Sequence, residues 1–315
     1  MAFDVSAITG FTKEEVAPIL YEMVLGAKTA SMVDGAGNLI PGVKDATKLP
    51  QILANPTIQA DGCDLSATGD VVLSQMTLDV AKMAIMETLC EKDLETTVFR
   101  LKLKNGSNYD SMVLRNEIVE ELKRRLALKM ENLIWQGDTT LTGDANLKWF
   151  DGYKKLFKAD ANVNVATPSP KVALATAGNA RAGLVALFKE IPLEIINDPN
   201  TVVCTGMDVV RSYQTDLTAA NLFNPALFGD IKEIGVMPLE NTHIKVHGVA
   251  GLNGTKFAVA VNLKNLFIGT DLANEEENIS IDQDPIKKSK FYLQAAWKLG
   301  VSYAYGSEVA IYEWS

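Results

Sequence analysis

His243 and His247 are the only histidines in the 315-residue chain, and a spacing of four would put both imidazoles on one face of a helix, where they could share a metal ion. The text around them, Thr-His-Ile-Lys-Val-His-Gly from Thr242 to Gly248, alternates as a strand does. On a strand four residues hold two side chains roughly 13 Å apart, too far for one ion, so no metal site is expected there. The three cysteines, Cys63, Cys90 and Cys204, form no C-x-x-C and cannot all pair, and Cys90, between Leu89 and Glu91, has no nearby histidine to activate it. The three encode neither a disulfide framework nor a zinc site and suit a reducing compartment. Gly35, Gly37 and Gly42 lack the G-K-[ST] ending of a phosphate loop and read as a connector. The aspartates of Gly137-Asp-Thr-Thr-Leu-Thr-Gly-Asp-Ala-Asn146 miss the D-x-[DN]-x-[DN]-G order of a calcium loop and are expected to serve turns and caps. Ser74 and Ser111 have no G-x-S-x-G context, and Asp282-Gln-Asp284 reads as a loop. Thirty-nine acids always contain some pair that could meet in space, but nothing selects one for glycosidic chemistry. No catalytic, cofactor-binding or metal residue is assigned.

The scarcity of reactive side chains leans away from enzymes. A formal net charge of −9, from 30 Lys+Arg against 39 Asp+Glu, and the lack of a basic cluster argue against a protein that grips nucleic acid. Met1–Gly10 carries Asp4 and no basic segment followed by an apolar run, so no secretory signal is expected. No apolar run approaches the ~20 residues of a membrane span. The expectation is a soluble protein, cytoplasmic when made, of about two domains.

A first amphipathic helix is expected from Thr12 to about Ala30, with Thr12 as N-cap, Glu15 as capping-box partner, and Val16, Ile19, Leu20, Met23 and Val24 on one face. The glycine-rich stretch Gly35–Gly42 ends it. Lys48–Val80 reads as a long hairpin, with strands at Thr57–Gln59 and Val71–Val80 around a turn-rich centre. Ala81–Leu101 is ambiguous between strand and helix. A long helix then runs from the Asp110 cap to Gln136, with Gly137 as C′ residue. Met112, Ile118, Val119, Leu122, Leu126, Met130, Leu133 and Ile134 form its apolar stripe; Glu117, Glu120, Glu121, Arg124 and Glu131 lie opposite, with Glu120/Arg124 and Glu121/Arg125 as i,i+4 pairs. Thr167–Asp284 mixes helices (Ala173–Lys189, Asp208–Leu217) with strands (Thr201–Cys204, His243–His247, Lys256–Val261), an α+β lobe bounded by prolines. From Phe291 to Tyr305 apolar and polar residues alternate over a length unusual for one strand. Trp135, Trp149, Phe150 and Tyr153 bracket the loop after the long helix, and Trp297, Tyr303, Tyr305, Tyr312 and Trp314 crowd the C-terminus; about half of them are expected in ordinary core. An exposed hairpin and a long helix laid on long strands describe a subunit that completes itself with neighbours.

In that order of elements the chain resembles the major capsid proteins of tailed phages with the Hong Kong 97-type fold. The likeness is carried by the hairpin at about Leu49–Leu78, the stretch Met76-Thr-Leu-Asp-Val-Ala-Lys-Met-Ala-Ile-Met-Glu-Thr-Leu-Cys-Glu-Lys-Asp-Leu94, and the helix end Glu131-Asn-Leu-Ile-Trp-Gln-Gly-Asp138. Thr142-Gly-Asp-Ala-Asn-Leu-Lys-Trp-Phe-Asp-Gly152 and the strands after Pro285 complete it. The resemblance implies an α+β fold with an N-terminal arm (1–47), an extended loop (48–80), a peripheral domain (81–166) with a spine helix (110–136), an axial domain (167–284) and C-terminal strands of the peripheral domain (285–315). It implies a structural subunit, not an enzyme, that assembles as pentamers and hexamers into an icosahedral head around double-stranded DNA. The implied location is the virion, and the host cytoplasm during assembly. Implied partners are further copies of the chain, a portal, a decoration protein in some phages, and DNA touched without sequence preference; no membrane is involved. Because only residues 1–47 precede the hairpin, scaffolding is expected as a separate protein. An acidic wall would let the genome slide. The rival readings are an encapsulin-type compartment, which shares the fold, and a carbohydrate-active enzyme with two carboxylates converging in a pocket of the 167–284 lobe.

Overall fold

The computed structural model describes residues 26–59, 61, 69–90, 111–168, 171–222, 235–271, 279–283 and 290–314. The helix expected at Thr12–Ala30 lies outside the described residues up to position 25; where the chain is described the expectation fails, because Ala27 is extended and a separate helix starts at Lys28 and runs on to Gly35. In chain order the elements are α1 (Lys28–Gly35), β1 (Leu39–Pro41), β2 (Thr47–Asn55), β3 (Asp70–Leu78), β4 (Ala81–Cys90), α2 (Ser111–Gln136), α3 (Tyr153–Ala159) and β5 (Asn164–Val165). Then come α4 (Ala180–Lys189), β6 (Thr201–Thr205), α5 (Met207–Ala219), β7 (Val236–Pro238), β8 (Lys245–Gly248), β9 (Phe257–Asn262), β10 (Leu266–Thr270), β11 (Ile279–Gln283), β12 (Lys290–Tyr303) and β13 (Ala310–Glu313).

The C-terminal alternation folds as one 14-residue strand, β12. It pairs antiparallel with β4 over Lys290–Leu299, with β11 over Phe291–Ala295 and with β10 over Leu299–Tyr303, and β1 adds on the far side of β10. The ambiguous segment after Val80 is thus settled as strand β4 as far as Cys90; its remainder lies outside the described residues. Ala295, Trp297, Leu299, Val301 and Tyr303 all face the core, as a period of two requires.

A second sheet, ordered β5-β13-β9-β6-β8-β7, is covered on both faces. Val202, Cys204, Val259, Val261 and Ile311 join the core formed with α1, α2, α3 and β12, whereas Val203, Ala258, Ala260, Ala310 and Tyr312 pack against α4 and α5. This explains why β9 is buried at every position, Phe257 to Asn262: both of its faces are interior.

Helix α2 ends at Gln136 as its periodicity predicts, and Leu126, Met130, Leu133 and Ile134 are buried. Its start at Asp110 and the side chains of its first ten residues lie outside the described set. Gly137 follows it, and its glycine is required by close approach: its N–H continues the ladder to Leu133 O at 2.9 Å, and its carbonyl accepts from Gly152 N–H at 2.8 Å. A Cβ at either glycine would strike the backbone of the other segment. Glu121 pairs with Arg125 at 2.6 Å as expected and also with Arg124 at 3.0 Å.

Several boundaries differ from expectation, three of them with a bearing on the sites considered. Helix α4 starts at Ala180 and not at Ala173, because Gly178 adopts φ +88° and interrupts any helix there. The first hairpin strand is Thr47–Asn55; Pro56 ends it, and Thr57–Gln59 lies beyond it without regular structure. Strand β8 begins at Lys245, leaving His243 outside.

Candidate interaction surface

Among the described residues β2 and β3 pair only with each other, in the register Thr47↔Leu78 to Asn55↔Asp70. Directly opposed residues share a face of a hairpin, so Ile52 with Leu73 and Ala54 with Val71 make one apolar side. That side is exposed: Leu73 is 73%, Val71 62% and Ile52 58% accessible. A two-stranded hairpin is at best marginally stable alone, and an apolar exposed ribbon with open edges is a surface made to be covered.

The foot of the hairpin is firmly seated. Leu78 is fully buried and Leu49 nearly so. Gly269 and Gly300 are cross-strand partners on β10 and β12, and together they leave a flat notch in the sheet. Leu78 and Val80 fill the space over Gly269, and the Asp79 backbone lies where a Cβ on Gly300 would sit. Ser302 Oγ donates to Thr77 O at 3.1 Å. Higher up, the Tyr305 hydroxyl bonds the backbone of Ile52, and the Gln51 side-chain amide donates to Ala304 O. A cleft of about 520 Å³ opens beside the foot, lined by Met76, Val80, Trp149, Phe150, Leu156 and Tyr303 among others. It lies outside the 167–284 lobe. Of its three carboxylates, Asp151 and Asp160 are engaged by Lys155 and by the Tyr303 hydroxyl, each at 2.8 Å, and Asp79 is exposed.

Among the described residues, those considered for chemistry do not converge. His243 is exposed, while His247 is buried and held down to about 4, because burial and then the nearby Lys28 and Lys245 disfavour its charged form. Among the described residues no group of three or more His, Cys, Asp or Glu side chains is placed to hold a metal. Cys204 is fully buried, and burial pushes its thiol up to about 12, far from a reactive thiolate. Cys63 and Asp284 lie outside the described residues, as do the side chains of Ser111, Cys90 and Asp282. The loop aspartates serve turns: Asp138 Oδ1 accepts from Thr140 N–H at 2.9 Å, and Asp144 Oδ1 from Asn146 N–H at 2.7 Å. Lys155 bridges Asp138 and Asp151, and its ammonium holds the Asp138 carboxyl down at about 2.

One expectation is overturned. Glu131, read as part of the polar face of the long helix, is only 2% exposed. Near its C-terminal end α2 is wrapped on several sides, by α1 and by the turn at Ala250–Leu252, so Ala127, Glu131 and Trp135 are interior along with the apolar stripe. The carboxylate accepts from Thr29 N–H at 3.0 Å and from Thr29 Oγ1 at 2.5 Å, and Trp135 Nε1 donates to that same Oγ1 at 2.6 Å. Burial raises the Glu131 pKa against the opposing pull of these bonds.

More of the aromatics are core than the expected half: of the nine considered, all but Trp149 and Tyr305 are buried. Trp135, Tyr153, Phe157 and Tyr303 form a buried chain with ring centroids 5.0–5.6 Å apart, whereas Trp149 stays 41% exposed.

No protein-family description matches the chain, and no curated protein does. Solved structures do. A chain of the satellite phage P4 procapsid including the size determination (Sid) protein aligns with a TM-score of 0.54 at 14% identity, over 94% of this chain and 98% of that one. A chain of Mycobacterium phage Che8 gives 0.52 at 12% identity over 88% and 90%. The capsid of the empty GTA particle gives 0.50 at 12% identity over 90% and 89%. At such identities the likeness is one of architecture: along nearly its whole length, the chain has the mixed α+β fold of phage capsid chains.

Proposed function

We propose that the protein is a major capsid subunit that assembles as pentamers and hexamers into an icosahedral phage head enclosing double-stranded DNA. The carrying observation is the β2–β3 ribbon, an apolar, exposed two-stranded sheet seated rigidly on a body with the phage-capsid fold. In this reading the ribbon is the extended loop (48–80) that crosses a neighbouring copy, and 1–47 is the arm. Residues 81–166, with the spine helix 110–136, and 285–315 form the peripheral domain, and 167–284 form the axial domain. Strands β5 and β13, from outside that last range, close its sheet.

The protein's task is to be a wall. Its partners are copies of itself, a separate scaffolding protein, a portal, in some shells a decoration protein, and DNA that the acidic chain touches without sequence preference. Its location is the virion. The test is negative-stain microscopy with sedimentation of the purified chain across protein and salt concentrations. Capsomers or closed shells are expected; a clean monomer under every condition overturns the proposal.

A further inference from the structure

Ile52 stands directly opposite Leu73 in the hairpin, and its N–H and C=O both turn outward, away from β3. One hydroxyl satisfies both. The Ile52 N–H donates to Tyr305 Oη at 3.1 Å, and Tyr305 Oη donates to Ile52 O at 3.1 Å, so the phenol stands in for a neighbouring strand. The segment carrying that phenol is itself fixed from the core. Asn265, 2% exposed in the turn between β9 and β10, accepts at Oδ1 from Ala304 N–H at 2.9 Å and Tyr305 N–H at 2.7 Å. Its Nδ2 donates to Tyr305 O at 2.7 Å. Gln51 binds Ala304 O and accepts from Ser74 Oγ at 2.7 Å, tying the second strand into the same point. Outboard of this tie, Ala54, Val71 and Ile58 are exposed.

We infer that Tyr305, held by Asn265, is a strut that sets the angle at which the hairpin leaves the body. The hairpin is a lever, its foot pinned in the Gly269/Gly300 notch and its elevation set at Ile52 by the Tyr305 phenol, with the Gln51 amide tied to Ala304 O beside it. Tyr305 is a positioning residue: it acts on a neighbouring copy only through the direction in which it holds the ribbon. That consequence for assembly rests on the capsid reading; the strut itself does not.

The test uses Tyr305→Phe, which keeps the ring and removes the hydroxyl. Spin labels are placed at Asp70→Cys and Ser307→Cys in a Cys63→Ser, Cys90→Ser chain, leaving the buried Cys204. Pulsed EPR should give one narrow hairpin-to-body distance distribution with Tyr305 and one about twofold broader with Phe, while Ile52 amide exchange accelerates about tenfold and β9 exchange stays unchanged. Unchanged width and exchange overturn the strut. Asn265→Ala should broaden the same distribution; if it does not, the role given to Asn265 falls. On shells, wild type should give uniform diameters and Tyr305→Phe a spread or open sheets. Uniform closed shells from a variant whose distribution has broadened overturn the link to assembly. Failure of both chains to form any particle, with the broadening seen, overturns the capsid reading and leaves the strut standing.

Discussion

Helix α1 begins at Lys28 after Ala27, which offers no capping side chain, and the first-turn N–H of Thr29 is satisfied by Glu131 from α2. Asp216 of α5 does the same for α4, accepting from Arg181 N–H at 3.1 Å and from Gly178 N–H at 2.5 Å. Caps supplied from another helix leave no trace in local text, and for that reason a carboxylate beside an apolar stripe reads as surface until the fold encloses it. Glu131→Ala would strand the buried Thr29 donors and should cost about 2–3 kcal/mol, whereas Glu131→Gln keeps an acceptor and should cost about 1 kcal/mol or less. The pH dependence has a definite sign. Burial raises the folded pKa of Glu131 above its ordinary 4.5, so the folded state takes up the proton first as pH falls. Chemical denaturation of wild type and Glu131→Gln from pH 8 downward should therefore show wild type gaining on the variant as pH drops through the raised folded pKa toward 4.5. A gap that moves the other way would mean that the carboxylate is stabilised by its bonds more than it is penalised by burial.

At the scale of elements, the sequence is read best where one periodicity persists. The 14-residue alternation of β12 and the buried stripe of α2 at Leu126, Met130 and Leu133 follow from their spacing alone. The hairpin is legible as extended, with turn residues at its centre, but its first strand, Thr47–Asn55, lies entirely before Thr57–Gln59, because register is fixed by the seating of Leu78 on Gly269 and not by local propensity. The clasp at Tyr305 joins residues 253 positions apart, and no local pattern announces it. The ribbon is also expendable to the core. Among the described residues none from 51 to 75 belongs to either buried cluster, and the foot residues Leu49 and Leu78 lie outside that span. Replacing 51–75 by a short Gly-Ser turn should leave the subunit folded, with a melting temperature within a few degrees of wild type, while abolishing closed shells in electron micrographs. Normal particles from that deletion would remove the role given to the ribbon, and a chain that no longer melts cooperatively would show that the ribbon belongs to the fold.

At the scale of the whole molecule, the decisive feature is the sheet shared by two cores. Adjacent residues on β6, Val202 and Val203, point into different clusters, as do Val259 and Ala260 on β9 and Ala310 and Ile311 on β13. A count of residues suggests two domains, and the helices α4 and α5 do lie on the face of this sheet opposite α2. Neither side can unfold by itself, however, without stripping one face of strands that the other side needs: loss of α4 and α5 would expose Val203, Ala258 and Tyr312, all fully buried. The two cores should therefore melt together, although chains of this length often show several transitions. Ile134→Ala in one cluster and Leu184→Ala in the other each remove a fully buried side chain and should each cost about 2–5 kcal/mol. In calorimetry of the unassembled subunit, both substitutions should shift one and the same transition to lower temperature, with calorimetric and van't Hoff enthalpies agreeing. Two resolved transitions, each moved by only one of the substitutions, would show that the shared sheet does not couple the cores and that the axial lobe is an independent domain.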